Sequence, residues 1–539
     1  MVKYDNLFPF DSVRDQQREA IDFAIDTFLS SDKRFCIIEA GTGVGKSAIG
    51  LTVARYLSEN KSNAAGLFEP GSYFLTTQKI LQEQYVRDFP AVVSLKSSSN
   101  YSCSYHKSNS CSESQKLLKT ADKSSRFFKT CSFNCKYKNQ KNKFLNSSES
   151  VTNFSYFLTE ANYSGKIVPR QVLVIDEGHN IETELSKFIE ITVSEYFAKS
   201  ILKLSFPKKL TQFQTFAWIK DVYLPAASKR LKFFESSIES LGGEKLRESL
   251  KQFQSITKQY DLLRSHITKI KKFVKIYKSD NWVFETSTTD GKGYSKASFK
   301  PIDISLYSED NLFRLGDKII VMSATILNSK TFMKTLGIDE NSASFISIPS
   351  PFPIENRPII FSPVGSMSAK SIDFTLPKLA ESIKAILDHH KNEKGIIHCK
   401  TYKIANYLKR SLKNSRILTH DGSNRDEILR KHTLSKKKTV LLSPSMTEGV
   451  DLKDDASRFQ VICKVPYPYL GDKLVRKRMN KFPGWYELQT AKSIVQSTGR
   501  SVRSKDDHAV TYILDSDFDR FIRKNSAVFS KDFKSCLVK

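Results

Sequence analysis

Apolar residues along this chain fall into two kinds of run. Short, nearly continuous ones at 34–39, 73–76, 171–175 and 318–322, and later at 358–361, 395–399, 439–442, 459–464 and 509–514, read as buried strands separated by segments of helical period. That alternation predicts doubly wound parallel sheets, so an α/β chain of two open lobes is expected, the second beginning near Pro351. The rhythm breaks twice inside the first lobe. Residues from about 101 to 140 are rich in Lys, Ser and Cys, and residues from about 183 to 305 carry long helical periods with few Gly or Pro, such as Tyr196–Leu204 and Leu246–Tyr277. The second stretch predicts a mainly helical insertion. No internal repeat or long disordered tail interrupts the pattern.

Composition adds a partner. The 539 residues, enough for roughly three or four domains, carry a formal net charge of +28. Such an excess of Lys and Arg predicts a polyanion whose binding weakens with salt through counterion release. No apolar stretch reaches spanning length and Met1–Arg14 lacks signal character, so a soluble protein of the cytoplasm is expected, associated with the nucleoid or, if viral, in the host cytoplasm. No added nuclease domain is expected at either end, so any nuclease activity is expected from another protein.

Candidate chemistry begins at Ala40–Ser47, AGTGVGKS, directly after the apolar run Phe35–Ile38. Gly41, Thr42, Gly43, Val44 and Gly45 form a loop whose backbone N–H groups can turn inward around phosphates, Lys46 can reach the β and γ oxygens, and Ser47 offers a hydroxyl to Mg²⁺. A second apolar run, Val172–Ile175, ends in Asp176, Glu177, Gly178 and His179. There Asp176 is expected to hold Mg²⁺ through water and Glu177 to polarise the attacking water, because phosphoryl transfer needs mainly positioning and charge stabilisation. ATP and Mg²⁺ are the implied cofactors.

The carboxy-terminal half supplies what a lone phosphate loop lacks. Arg500 and Arg503, three residues apart on a helix expected to begin near Ala491, would share one face and reach a γ-phosphate from the neighbouring lobe. Ser323 and Thr325, ending the strand at 318–322, are expected to hydrogen-bond toward the DEGH carboxylates. In the helical insertion Lys269, Lys271, Lys272 and Lys275 stand beside Phe273 and Tyr277, a mixture that suits either a single-strand path or a solvated helix face. The basic run Lys136–Lys143 suggests contact with nucleic-acid phosphate.

Four of the eight cysteines crowd together as Cys103, Cys111, Cys131 and Cys135, spaced C-x7-C-x19-C-x3-C. In a cytoplasmic chain such a group reads as a metal site rather than a disulfide framework. Thiolates suit an iron–sulfur cluster or a tetrahedral zinc, and the absence of a C-x2-C pair favours iron–sulfur, with zinc as the alternative. Cys36, Cys399 and Cys463 lie in apolar runs and read as small core residues.

A four-cysteine insertion between the phosphate loop and the DEGH box resembles the XPD and DinG family of superfamily 2 DNA helicases. Further segments resemble its motifs in order: VRDQQ with Arg14 and Gln17 on the adenine side, YFLTTQKILQEQY from Tyr73 (motif Ia), NFSYFL from Asn153, VMSATI from Val321 (motif III), SPFPIENR from Ser350, LLSPSMTEGVDL from Leu441 (motif V) and QSTGRSVRSKDDHAV from Gln496 (motif VI). Two features depart from the family. Gly178 stands where DEAH helicases have alanine, a small change expected to preserve the turn, and the cysteine spacing is more compact.

The resemblance implies two RecA-like P-loop motor domains, each a parallel sheet with flanking helices. Residues 1–100, 141–182 and 306–348 would form the first and 349–539 the second, with a 4Fe-4S insertion at 101–140 and an arch-like helical insertion at 183–305. It implies a monomeric motor that moves 5′ to 3′ on single-stranded DNA and opens forked duplex, with ATP between the lobes. Lys46, Asp176, Glu177, Arg500 and Arg503 would do the chemistry. Arg14, Gln17, His179 and Gln496 would complete the nucleotide site, and Thr77, Gln78 and Thr447 would touch the strand. An RNA-directed or protein-remodelling ATPase, or a strand-binding module with a vestigial ATP site, are the rival readings.

Overall fold

The computed structural model describes residues 4–60, 66–107, 110–118, 121–207, 211–241, 246–288, 293–446, 452, 454–499, 501–502 and 504–538. In the first lobe the strands are β1 (Phe35–Ala40), β2 (Glu69–Thr76), β3 (Val93–Ser94), β4 (Glu149–Asn153) and β5 (Arg170–Ile175). An insertion then contributes β6 (Ile191–Ser194), β7 (Trp282–Thr288) and β8 (Ser295–Pro301), after which β9 (Gly316–Ser323) and β10 (Ala343–Ile348) complete the lobe. The first sheet runs in the order β10-β1-β9-β5-β2-β4-β3 with every pairing parallel. Its centre is built from strands buried on both faces. All six residues of β1 are buried, which is why they read as a nearly unbroken apolar run rather than an alternating one.

The second lobe contains β11 (Ile359–Gly365), β12 (Gly395–His398), β13 (Ile417–Thr419), β14 (Val440–Ser443), β15 (Phe459–Ile462), β16 (Val510–Asp515) and β17 (Leu537–Val538). They form a second seven-stranded parallel sheet, ordered β13-β14-β12-β15-β16-β11-β17. Helices flank both sheets. Asp15–Leu29 buries Ala20, Ile21, Ala24 and Phe28, and Ile372–His389 buries Ile372, Leu376, Leu379, Ile383 and Leu387, each a stripe of helical period laid on a sheet.

The insertion after the DEGH box carries long helices, Leu224–Leu241 and Leu246–Ile276 among them. It also contains an antiparallel sheet, β6-β8-β7, that helical periodicity did not announce. Buried apolar positions of β8, Ala297 and Phe299, alternate with polar ones, and Phe273 packs edge-on to Trp282 of β7 with ring centroids 4.9 Å apart. Phe273 is 1% exposed and Tyr277 stacks on Phe216 at 3.8 Å, so these rings are core, not a strand path. Lys269 and Lys272 turn inward too: their ammonium groups donate to Lys187 O at 3.4 Å and to Asn162 Oδ1 and Asn311 Oδ1 at 3.2 and 3.3 Å. Only Lys271 and Lys275 of that run face solvent.

The cysteine segment is helical in part, with Cys111–Leu117, Arg126–Phe133 and Lys136–Asn146. The last of these helices crosses residue 140 and brings Phe144 into the first lobe, where it stacks on Tyr73 at 5.8 Å. Among the described residues no helix is long and apolar enough to cross a membrane.

Candidate active site

Three neighbouring strands of the first sheet, β1, β9 and β5, end at the same edge, and each ends in a motif: Ala40 into the phosphate loop, Ser323 into Thr325, Ile175 into Asp176. Carboxyl ends of parallel strands are where open α/β sheets bind ligands. The loop is shaped by its glycines. Gly43 and Gly45 have φ of +88° and +90°, and a Cβ on Gly41 would lie 2.7 Å from the Ser350 nitrogen, so the loop is pressed between its own turn and the crossing to the second lobe. Helix Lys46–Asn60 begins at the loop, and Val44 is buried just before it.

Lys46 Nζ donates to Ala40 O at 3.3 Å, the position from which a γ-phosphate can draw it. Ser47 Oγ donates to Asp176 Oδ2 at 3.4 Å, which places the two expected Mg²⁺ contacts side by side. Asp176 also accepts from Tyr85 OH at 3.1 Å and from the Glu177 N–H at 2.9 Å. Its burial, then the neighbouring Glu177 charge, push the carboxyl up to about 6 against the pull of Lys46. Tyr85, in a helix read from sequence only as part of motif Ia, had no local signal for this role.

Arg14 and Gln17 sit on the far side of the loop. Arg14 NH1 donates to Gly43 O at 2.8 Å, Arg14 N–H donates to Gln17 Oε1 at 3.0 Å, and the Gln17 amide lies under Gly45. Phe352 packs over Gly43 and joins Val502 and Ala509 in a small apolar cluster, so the segment from Ser350 touches the phosphate loop directly. Ser350 Oγ donates to Thr42 O at 2.9 Å.

The opposite wall comes from helix Trp485–Thr498 of the second lobe. Gln496 Nε2 lies 2.9 Å from His179 Nε2 and 3.2 Å from Thr325 Oγ1. An amide N–H donated to Nε2 leaves the imidazole proton on Nδ1, from which Ser323 Oγ is 2.8 Å and Glu177 Oε2 3.3 Å away. Ser323 and Thr325 therefore meet His179 and Gln496 rather than the DEGH carboxylates, because the short hydroxyls at the end of β9 reach the imidazole and the amide first. The helix begins at Trp485, not near Ala491, and its described turns end at Thr498. Both arginines, with Thr447, lie outside the described residues. Thr77 is half-buried and Gln78 is exposed at the start of helix Lys79–Asp88. In the NFSYFL segment Asn153 caps a helix, accepting from Tyr156 N–H at 2.9 Å, and Phe154, Tyr156 and Phe157 are buried, which leaves Ser155 as its exposed residue.

Cys103, Cys111, Cys131 and Cys135 are all buried and all free thiols. Cys111 Sγ and Cys135 Sγ lie 3.5 Å apart, and the Tyr105 and His106 N–H groups donate to Cys103 Sγ at 3.4 and 3.3 Å. Burial first, then the bond to Cys135, push the Cys111 thiol up to about 12, and burial with the Cys103 field pushes Cys131 up to about 11. Among the described residues no group of three or more His, Cys, Asp or Glu side chains is arranged to hold a metal ion.

The type III restriction enzyme res subunit family matches residues 11–206 and the helicase C-terminal domain family matches residues 386–535. The ATP-dependent DNA helicase DinG of Photobacterium profundum is 25% identical over 258 residues, covering 43% of this chain and 36% of that protein. Over these segments the chain is similar to DinG-like helicases. The match thus spans about a third of the curated relative's length. A solved XPD helicase structure aligns with TM-score 0.63 at 16% identity, covering 96% of this chain and 99% of the other. The S. tokodaii Xpd4 structure aligns at 0.59 and 15% identity over 98% and 100%. At these identities the alignments show the shared two-lobed fold.

Proposed function

We propose that this chain is an ATP-dependent DNA helicase that translocates 5′ to 3′ on single-stranded DNA and opens forked duplex, acting as a monomer in the cytoplasm. The observation that carries the reading is the Gln496–His179 contact, which joins the second lobe to the DEGH box across the cleft that holds Lys46 and Asp176. Loop N–H groups and Lys46 receive the phosphates, Ser47 and Asp176 would hold Mg²⁺, and Glu177, braced by His179, orients the attacking water. A bound Mg²⁺ supplies charge neutralisation at the β and γ oxygens. Arg500 and Arg503 are proposed to face the γ-phosphate when the lobes close, which ties hydrolysis to closure. The +28 charge supports a nucleic-acid track.

We further propose that Cys103, Cys111, Cys131 and Cys135 hold an iron–sulfur cluster. Four buried thiols in a lysine-rich segment are the donor type such a cluster takes, and ligation would have to draw them together from their present arrangement, which would order a segment proposed to meet the duplex. Because Cys111 and Cys131 are held protonated in this fold, loading releases protons and weakens at low pH.

ATP hydrolysis measured alone, with single-stranded DNA and with single-stranded RNA tests the reading. Stimulation by DNA, its loss in Lys46→Ala and unwinding of a substrate with a 5′ overhang are expected. Equal stimulation by RNA removes the DNA assignment, and unwinding by Lys46→Ala at full rate removes the motor.

A further inference from the structure

Glu39 is the residue before Ala40 on β1, and only 6% of it is exposed. Its carboxylate accepts from the Leu327 N–H and from Ser347 Oγ, the latter at 2.9 Å. Burial pushes the Glu39 carboxyl up, and the donated bonds pull it back down. A buried carboxylate in the middle of a motor core is expensive unless its bonds are needed.

Leu327 shows what the bonds hold. Asn328 N–H donates to Ile326 O at 2.8 Å, and the φ of Leu327 is +62°. A three-residue turn with a positive φ at its centre is rare and strained for a residue with a side chain. The Leu327 side chain is partly buried. It packs against the second-lobe cluster that includes Ile462, Val465, Ala491 and Ile494, two of which lie on the helix that carries Gln496. Ser347, the other donor, sits on β10 three residues before Ser350, whose hydroxyl reaches Thr42 of the phosphate loop.

We infer that Glu39 is a positioning residue for lobe closure: it fixes the strained Leu327 turn, so that Leu327 stands as an apolar contact against the second lobe, tied to the same strand that delivers the phosphate loop. This rests on the motor reading above. Closure then depends on the geometry of β1, and a shift of the loop on binding nucleotide reaches the second lobe through one side chain.

The test compares the full-length wild type with Glu39→Ala, Glu39→Gln, Leu327→Gly and the double variant Glu39→Ala/Leu327→Gly. Glycine accepts the positive φ without strain and deletes the contact. Glu39→Ala and Leu327→Gly are expected to lower kcat for DNA-stimulated hydrolysis about tenfold while KM for ATP stays within about twofold, the signature of misplaced closure rather than lost binding. The double variant should be no slower than Leu327→Gly, because the two act through one turn. Glu39→Gln keeps an acceptor for the Leu327 N–H and should recover most of the rate. Losses that multiply in the double variant, a raised KM at unchanged kcat, or a wild-type rate in Leu327→Gly would each overturn the inference. If Glu39→Ala does not fold, Leu327→Gly and Glu39→Gln still decide it. If the wild type hydrolyses no ATP, the motor reading falls separately. Small-angle scattering with a non-hydrolysable ATP analogue then decides Glu39, and Leu327→Gly compacting as the wild type does would overturn the inference.

Discussion

Arg478 and Glu182 form a buried ion pair between the lobes, with NH1 2.7 Å from Oε1 and side chains 8% and 14% exposed. Glu182 lies in the first turn of helix Ile181–Ile189, just after the DEGH box, and Arg478 lies on helix Lys473–Lys481 of the second lobe. The same guanidinium donates to Ser186 Oγ at 2.6 Å, to Ile302 O at 3.0 Å and to Pro301 O at 3.1 Å. It therefore grips the insertion where the chain leaves the first lobe and where it returns. Trp485 Nε1 adds a bond to Glu182 Oε2 at 3.0 Å.

Breaking one side of this pair leaves a charge buried without its partner, which costs on the order of 3–5 kcal/mol. Arg478→Met is expected to lower the thermal midpoint strongly, and Glu182→Gln to lower it less, since the glutamine still accepts from Trp485. Arg478→Met combined with Glu182→Gln should recover part of the loss. Additive losses in the thermal scan would show that the two side chains act independently.

Gly178 is not interchangeable with alanine in this chain. A Cβ there would lie 2.3 Å from Val321 Cγ1 on β9, and a valine methyl has little freedom to move aside. Overpacking of this kind costs about 1–3 kcal/mol. Gly178→Ala is expected to lower stability and to slow hydrolysis by displacing Glu177, and adding Val321→Ala should restore both. Wild-type rate and stability in Gly178→Ala alone would mean that the DEGH turn has slack the packing does not show.

These two cases mark what was legible beforehand. The nine strand positions read from apolar runs are strands, because central parallel strands are buried on both faces and leave a continuous signal. β4, Glu-Ser-Val-Thr-Asn, has one strong apolar residue, and β7 and β8 mix polar with apolar positions, so their strand character comes from neighbours. The phosphate loop and DEGH box were legible because their chemistry is local in sequence. Tyr85, Glu39 and the Arg478–Glu182 pair were not, since each acts through a partner far along the chain, 91 residues away for Tyr85 and 288 for Glu39. The Lys269–Tyr277 run misled for the same reason: several of its lysines and rings find partners inside the fold.

Asp176 gives a pH-dependent test. Its carboxyl titrates at about 6 in the fold, chiefly through burial and then through Glu177, against an ordinary value near 3.8. A raised carboxyl binds its proton more tightly when folded, so this group's stabilisation is fully present below about pH 4 and is lost as pH rises to about 6. At pH 7 without metal or nucleotide, Asp176→Asn is expected to be more stable by up to about 3 kcal/mol, and the gain should vanish near pH 4. Denaturation across that range checks it, and a gain independent of pH would place its cause elsewhere. The same variant should hydrolyse almost no ATP, because the carboxylate that costs stability is the one proposed to hold Mg²⁺.

The cysteine segment sets the sharpest division. Cys111, Cys131 and Cys135 belong to the apolar cluster that also contains Phe35, Leu173 and Val321 of the first sheet, so the segment is continuous with the motor core rather than hung from it. Two outcomes then compete for Cys131→Ser and Cys135→Ser. If the thiols serve a cluster that organises DNA, unwinding falls by about tenfold or more while DNA-stimulated hydrolysis holds within about threefold, as when coupling rather than chemistry is lost. If they serve packing, both activities fall together with the thermal midpoint, since polar replacement in a close-packed core destabilises the whole lobe. The first outcome is expected, because neither cysteine contributes to the nucleotide cleft and Cys135 stands immediately before the basic helix Lys136–Asn146, where its thiol makes no capping bond. Anaerobic purification with iron analysis and an absorption spectrum provides the independent readout: stoichiometric iron with broad visible absorption that disappears in both variants supports the cluster, whereas colourless protein with bound zinc overturns the iron assignment.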